Sequence, residues 1–244
     1  MFSLFPIDNG VCASEGFFCD GISAGLKQDS MPDIAFIYSD IPCEVEALFT
    51  QNKFQAAPIL HYKNYNTPFK TNFVLINSKN ANALTGIQGL KNIEEILQEL
   101  QKLHPQIHNP IMSSTGVIGV QLPKEKIIQS LQKIHLRHKN NKQASLAIMT
   151  TDKFNKTLAF EVLLKDKSRF RIGAICKGAG MINPSLATML CFITTDAAIP
   201  KEDMKPLLEE ASKTTFNAIS VDGDTSTNDT ILLLSNGKSK AYNK

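Results

Sequence analysis

The spacing of apolar residues changes several times along this chain, and this change limits the possible folds more than any other feature. Two stretches, "KNIEEILQELQKL" (91–103) and "PKEKIIQSLQKIH" (123–135), keep their apolar residues at helical spacing, which predicts amphipathic helices. Several short apolar runs predict buried strands instead. These runs are "DIAFIYSD" (33–40), "NFVLINS" (72–78), "SLAIMTTD" (145–152) and "ILLLSN" (231–236).

The second half of the chain is richer in strands than the first. "TLAFEVLLKDKSRFRIGAIC" (157–176) contains a polar turn and predicts a hairpin. "ATMLCFITTDAAI" (187–199) predicts a further strand, and "MKPLLEEASKTTFNAI" (204–219) returns to helical spacing. Strands and helices are mixed without strict βαβ alternation. The sequence therefore predicts an α+β fold with a layered α/β/β/α arrangement and disfavours a Rossmann sheet.

Composition excludes several broad classes of protein. The 244 residues are 43% apolar and 20% charged, which indicates a folded globular chain. The net charge is only +3, without a long run of like charge, so we expect no nucleic-acid partner and no membrane partner. No apolar run approaches the ~20 residues of a membrane span, and the first residues do not resemble a secretory signal. The five cysteines form no CxxC pair, so we expect no structural disulfide and a cytoplasmic location.

Two polar features have alternative interpretations as binding sites. The histidine pairs His104/His108 and His135/His138 lack a cysteine or carboxylate spaced to complete a zinc site, so solvated helix ends are favoured and no metal is expected. "VDGDTSTND" (221–229) lacks the glutamate that would close an EF-hand. Its short polar side chains indicate a tight turn, with a role in positioning neighbouring active-site groups as the alternative.

Three stretches combine hydroxyl side chains with glycine or with the end of an apolar run. They are "KGAGMINPSLATML" (177–190), "SSTGVIGV" (113–120) and "IMTTDK" (148–153). Each one alone is typical of an ordinary turn or strand end.

Together, these stretches resemble one known family. The matching segments are "NANALTG" (80–86), "SSTGVIG" (113–119), "AIMTTD" (147–152), "KGAGMINPSLATML" with "CFITTDA" (177–197), and "FNAISVDGDTSTNDTILLLSNG" (216–237). In this order they are similar to the glutamate N-acetyltransferase (ornithine acetyltransferase) family, called ArgJ. The resemblance covers most of the chain and is looser over the first 70 residues.

The resemblance implies a precursor that cuts its own backbone between Ala187 and Thr188. Residues 1–187 would then correspond to the family's α chain, and residues 188–244 to the start of its β chain. Cutting would give Thr188, a weak nucleophile, a nearby base in its own new α-amino group. The unperturbed pKa of that amine is near ~8, so a modest downward shift would let it accept a proton at neutral pH.

The resemblance also implies a reaction and roles for individual residues. Thr188 would take the acetyl group of N-acetylornithine as an acetyl-threonyl ester and pass it to glutamate. Thr115 and Gly116 would form the oxyanion hole, Lys177 would bind substrate together with Thr188, and either Thr150 or Thr151 would add a substrate contact. No cofactor is implied, although some family members use acetyl-CoA as donor, and the intact family forms α2β2 heterotetramers.

The chain departs from the family pattern in three places. Lys79 stands where a glycine is expected, and Leu186 stands where methionine is common. The family continues well past "LLLSNG", with a substrate-binding glutamate and a C-terminal asparagine that have no counterpart here. We therefore expect little family activity from this polypeptide alone. Two alternatives are an N-terminal-nucleophile amidohydrolase or aminopeptidase, which would release acetate, and an inactive remnant.

Overall fold

The computed structural model describes residues 2–180, 189–219, 222 and 224–242. Nine strands are present in these ranges: β1 Ser3–Pro6, β2 Phe17–Ile22, β3 Ile34–Phe49, β4 Lys70–Asn77, β5 Ile111–Ser114, β6 Lys156–Leu163, β7 Arg169–Lys177, β8 Leu190–Thr195 and β9 Thr230–Ser235. The α-helices are α1 Ala57–Lys63, α2 Gly86–Leu103, α3 Lys124–Ser130, α4 Asn141–Ala147 and α5 Lys201–Thr214.

The strands join one sheet, and the long strand β3 connects its two halves. The sheet order is β1-β6-β7-β8-β9-β3-β4-β5, with β2 pairing β3 as a side branch. The first part of β3 pairs with β2 and β4, whereas its end, from Glu44 to Phe49, pairs with β9. The register between β3 and β4 shifts between Tyr38 and Cys43, which marks an irregularity of the kind that bends a strand.

Successive residues of a strand point to opposite faces of the sheet, so the strands lie between one inner hydrophobic core and two outer hydrophobic cores. Ala35 and Ile37 of β3 belong to the inner core, together with residues from β7, β8 and β9. Ile34 and Phe36, on the opposite face of β3, pack with α2 and α3. On the other outer face, α5 packs on β8 and β9. The order of layers is helix, sheet half, sheet half, helix, which confirms the predicted α/β/β/α class.

One predicted strand is wrong. The segment 145–152 lies at the end of α4 and in the turn that follows it, not in a strand. Asn140 caps this helix, since its side chain accepts a hydrogen bond from the backbone N–H of Gln143. Ala144, Ala147 and Ile148 enter the inner core with helical spacing, so tertiary packing overrides the strand propensity of "LAIM".

The other predicted elements are present, with shifted ends. Helix α2 begins five residues before the predicted stretch, α3 ends at Ser130, and α5 ends at Thr214. The predicted hairpin is β6 and β7. Sequence analysis missed β1, β2, α1 and β5, which are short or lack a clear period.

The cysteine prediction is also wrong. A disulfide joins Cys12 and Cys19, whose Cα atoms are 6.2 Å apart. Tertiary folding brings β2 beside the short 3₁₀ turn Gly10–Cys12, and cysteine counting cannot reveal that contact. The free cysteines of the described chain are Cys43, Cys176 and Cys191. Among the helices that the structure describes, none has the length and apolar character needed to cross a bilayer.

Candidate active site

A pocket of about 440 Å³ opens between several segments of the chain, and it contains every described residue that sequence analysis assigned to the site. The segment after β5 contributes Thr115 and Gly116, the turn after α4 contributes Thr150 and Thr151, and the end of β7 contributes Lys177. The predicted cleavage residues Ala187 and Thr188 lie outside the described residues. The pocket therefore brings Thr115 and Lys177 together, although they are 62 positions apart in the sequence.

The backbone after β5 is held too tightly for any residue but glycine at position 116. The Thr115 N–H donates to the Asn77 carbonyl at 3.0 Å, and Gly116 follows with φ +137°. A Cβ on Gly116 would lie 2.2 Å from the carbonyl carbon of Lys79 and 2.5 Å from the backbone nitrogen of Asn80. Lys79 itself has φ +71°, a conformation that favours glycine, which is the residue expected there from the family pattern.

Lys177 connects the two sides of the pocket. Its side chain is buried, with an exposed fraction of 3%, and its Nζ donates to Thr115 Oγ1 at 3.0 Å. Because an ammonium group has no acceptor, the Thr115 oxygen must accept this hydrogen bond, and its own hydroxyl hydrogen stays available to another acceptor. Burial lowers the pKa of Lys177, while the carboxylates of Asp152 and Asp229 act in the opposite direction.

Asp152 orders the threonine turn, although sequence analysis assigned it no role. Its Oδ1 accepts hydrogen bonds from the Gly178 N–H at 2.7 Å and from Lys156 Nζ at 2.6 Å. Its Oδ2 accepts from the Thr150 N–H at 3.4 Å. Burial opposes ionisation, but the hydrogen bonds from Lys156 and Gly178 and the charge of Lys177 hold the pKa below its usual value. The aspartate at the end of the "TTD" motif was the feature of the sequence that could have indicated this role.

Asp229 is a second acidic residue near the pocket, and sequence analysis considered it only as part of the "VDGDTSTND" turn. It is buried, and its Oδ1 accepts a hydrogen bond from the Met189 N–H at 2.9 Å. Burial raises its pKa to about 7, although the Met189 amide, the Ser226 hydroxyl and the Lys177 charge favour the ionised form. Its Oδ2 makes no hydrogen bond of ordinary geometry with the described part of the chain. A buried carboxyl group with a raised pKa is typical of functional sites.

Met189, the residue that follows Thr188 in the sequence, is held on both sides. Its N–H donates to Asp229, and its carbonyl accepts a hydrogen bond from the Thr230 N–H at 3.0 Å. Strand β8 begins immediately afterwards, parallel to β9. The segment 229–230 therefore fixes the position of Met189, the residue that follows the predicted cleavage site.

Asn228 joins the segments that carry the site. Its Nδ2 donates to the Ala81 carbonyl at 2.6 Å and to the Ser114 carbonyl at 2.9 Å. The Asn228 side chain therefore ties these two backbone segments together, which is a structural role.

Replacing Asn228 with alanine should lower the free energy of unfolding by about 2 kcal/mol, because two buried carbonyls lose their donor. Urea unfolding at pH 7 measures this change. Asn52→Ala is the control, since the Asn52 side chain donates to Thr225 in an exposed contact and its loss should cost below about 1 kcal/mol. Equal losses in the two variants would contradict the assignment of Asn228 as a buried connector.

Comparison with known proteins decides the family. The model of the ArgJ family matches residues 18–244, nearly the whole chain. The chain belongs to the ArgJ family. This confirms the resemblance drawn from the dispersed motifs.

ArgJ relatives agree in sequence and in structure. The chain is 58% identical over 242 residues to the arginine biosynthesis bifunctional protein ArgJ of Wolinella succinogenes, a match that covers 99% of this chain and 61% of the relative. It therefore spans about three fifths of the length of that ArgJ protein. The crystal structure of ArgJ from Bacillus halodurans superposes with a TM-score of 0.68 at 28% identity, covering 78% of this chain and 100% of the other. The ornithine acetyltransferase of Mycobacterium tuberculosis, solved with ornithine, gives a TM-score of 0.64 at 28% identity over the same fractions.

Proposed function

We propose that this chain carries the acetyl-transfer site of the ArgJ family, a site that moves an acetyl group from N-acetylornithine to glutamate, and we expect only weak turnover from this polypeptide alone. The observation that carries the proposal is the contact between Lys177 and Thr115 in a pocket that Gly116, Thr150 and Thr151 also line. The matched relatives named for arginine biosynthesis, and the relative solved with ornithine, support the substrate class.

The proposed reaction begins with hydrolysis of the Ala187–Thr188 bond, which consumes one water molecule, leaves a carboxylate on Ala187 and frees the Thr188 α-amino group. That amine removes the hydroxyl proton as the Thr188 oxygen attacks the acetyl carbonyl carbon of N-acetylornithine. The proton passes to the leaving ornithine nitrogen as the amide bond breaks, and an acetyl-threonyl ester stays on the protein. The amine of glutamate then attacks the ester, and its proton returns to Thr188 as the threonine oxygen leaves.

The described residues support the charge that develops in both steps. The Thr115 hydroxyl, freed to donate by its contact with Lys177, and the Gly116 N–H would hydrogen-bond to the oxyanion. The ammonium of Lys177 would add positive charge beside it. Each such oxyanion donor contributes roughly 3 kcal/mol to lowering the barrier in well-studied hydrolases.

The charge of the pocket suits carboxylate-bearing substrates. Lys177 and Lys79 are the cationic side chains that line it within the described chain, and Thr150 and Thr151 add hydroxyl groups. Which of the two threonines contacts substrate stays open. Use of acetyl-CoA as donor, assembly into an α2β2 tetramer and a cytoplasmic location remain predictions from the family resemblance and the sequence.

The first experiment measures scission directly. Purified protein should divide between residues 187 and 188, and intact-mass spectrometry should show two pieces in place of one 26.9 kDa chain. Thr188→Ala should stay uncut because it lacks the hydroxyl group, whereas Thr188→Ser, which retains one, should still divide. A wild-type chain that stays whole would overturn the scission step.

A second assay separates transfer from hydrolysis. With labelled N-acetylornithine and glutamate, the proposed enzyme yields acetylglutamate, whereas an amidohydrolase yields acetate. Acetate as the main product would overturn the assignment of glutamate as acceptor. Scission without either product would favour the inactive remnant.

A further inference from the structure

Three sulfur-bearing side chains meet on the outer face of the sheet, next to the pocket but not in it. Cys176 on β7 lies directly opposite Cys191 on β8, and Met189 precedes β8. The Cys176 Sγ and Met189 Sδ atoms are 3.9 Å apart. All three pack in the apolar core beneath α5. We call Cys176, Cys191 and Met189 the sulfur cluster.

The spacing of the sulfur cluster matches that of ligands around one ion. Metal–sulfur bonds are about 2.3 Å long, so two sulfur atoms on the same ion stand roughly 4 Å apart. Cys176 and Met189 already have this separation. Directly opposed cross-strand residues have Cβ atoms about 5 Å apart, so the two thiols can converge on the same point without backbone movement.

We propose that the sulfur cluster is a binding site for one soft monovalent cation, Cu(I). As Cu⁺ enters, Cys176 and Cys191 each release their thiol proton to solvent and bind as thiolates, and the Met189 thioether is the third ligand. Two protons leave as one Cu⁺ enters, and no oxidant or reductant is needed.

The ligand set selects a soft ion over a hard one. Thiolate and thioether sulfur favour Cu(I), whereas Mg²⁺, Ca²⁺ and Mn²⁺ require oxygen ligands. Zn²⁺ needs four ligands, and in the described part of the chain no group of three or more histidine, cysteine or acidic side chains is placed to hold a metal. The sulfur cluster is covalently adjacent to the proposed active site, because Cys176 precedes Lys177 and Met189 follows Thr188.

The test titrates purified wild-type protein with Cu(I) under anaerobic conditions, using ascorbate as reductant and bicinchoninate as competing chelator. We expect one equivalent of Cu(I) per chain. Cys176→Ser should weaken binding by at least about a hundredfold, and Met189→Leu by about tenfold. Cys43→Ala is the matched control and should bind normally, because Cys43 lies in the inner core, where burial raises its pKa to about 12. Cys12 and Cys19 are held in their disulfide.

Several outcomes would overturn the proposal. These are no binding above the chelator, normal binding by Cys176→Ser, or an equal loss in Cys43→Ala. Alkylation of Cys176 with N-ethylmaleimide gives a second measure that requires no folded variant, and it should also abolish binding. Zn(II) binding without Cu(I) binding would likewise contradict the assignment. None of these results depends on acetyl transfer, so failure here and failure of the proposed function are distinguishable.

Discussion

Replacing Gly116 with alanine will lower the free energy of unfolding by about 4 kcal/mol. The added methyl group would lie 2.2 Å from the carbonyl carbon of Lys79 and 2.5 Å from both the Lys79 oxygen and the Asn80 nitrogen. These are backbone atoms, so no side chain can rotate to relieve the contact. The backbone must shift instead, at the segment where Asn80 hydrogen-bonds the Val120 and Gln121 carbonyls, and strain of this kind adds to the cost of φ +137°.

Gly119→Ala is the control that distinguishes the steric clash at position 116 from the effect of a positive φ alone. Gly119 also has a positive φ, +81°, but an added Cβ would meet no atom within 4 Å. Its replacement should cost about 1 kcal/mol, from backbone conformation alone. Chemical denaturation of the two variants measures both losses, and similar values would contradict a close approach at Gly116. If Gly116→Ala fails to fold at all while Gly119→Ala folds normally, the direction of the prediction is upheld.

Replacing Asp229 with asparagine will stabilise the protein at pH 8 by about 3 kcal/mol. The asparagine oxygen can still accept the hydrogen bond from the Met189 N–H, while the buried negative charge is removed. The pKa of Asp229 rises from an ordinary 3.8 to about 7 through burial, and a shift of this size corresponds to several kcal/mol of differential stability. Lys177 is the charged group that opposes this shift.

The pH dependence has a definite sign. A carboxyl group with a raised folded-state pKa contributes stability that is complete below pH 3.8 and is lost as the pH rises to about 7. Wild-type stability should therefore fall across that range relative to the variant, and the two should be nearly equal near pH 4. Asp152→Asn is the opposite control: its pKa is lowered, so its carboxylate stabilises the protein above its usual pKa, and the variant should lose stability at pH 7. A pH-independent difference between wild type and Asp229→Asn would contradict the buried charge.

If Asp229 also supports the proposed scission, Asp229→Asn will be the more stable protein yet the slower to divide. Such a trade-off between stability and activity is common where an active site contains a destabilising buried charge. Intact-mass measurement over time gives the rate. Equal rates would assign Asp229 to structure alone.

Sequence analysis identified the pocket residues because the motifs that contain them, taken together and in order, resemble the ArgJ family. Thr115 and Gly116 occur in a hydroxyl-glycine pair, and Lys177 leads into a glycine-rich segment. It assigned no role to Asp152 and considered Asp229 only within a turn, because the importance of these residues lies in burial and in contacts with distant backbone groups. The Met189 contact of Asp229, for example, spans 40 positions.

Prediction of the fold succeeded where apolar residues keep helical spacing over a long segment. It failed where tertiary packing determined the secondary structure. Helix α2 has four apolar core residues at helical spacing, Ile93, Ile96, Leu97 and Leu100, and its prediction is confirmed. The segment 145–152 was misassigned because β-branched residues at the end of a short helix look like a strand. Gly21 on β2 makes that helix possible, since a Cβ there would lie 2.2 Å from the Gln143 carbonyl oxygen.

The path of the sheet has a consequence for the proposed scission. Strand β8, which follows the cut, lies between β7 and β9, and β9 in turn pairs with β3 near the beginning of the chain. The two products would thus remain interleaved as one particle, joined by backbone hydrogen bonds and a shared apolar interior. Cleavage would create a new amino terminus without disrupting the sheet. The two fragments should therefore migrate together under native conditions and separate only in denaturant.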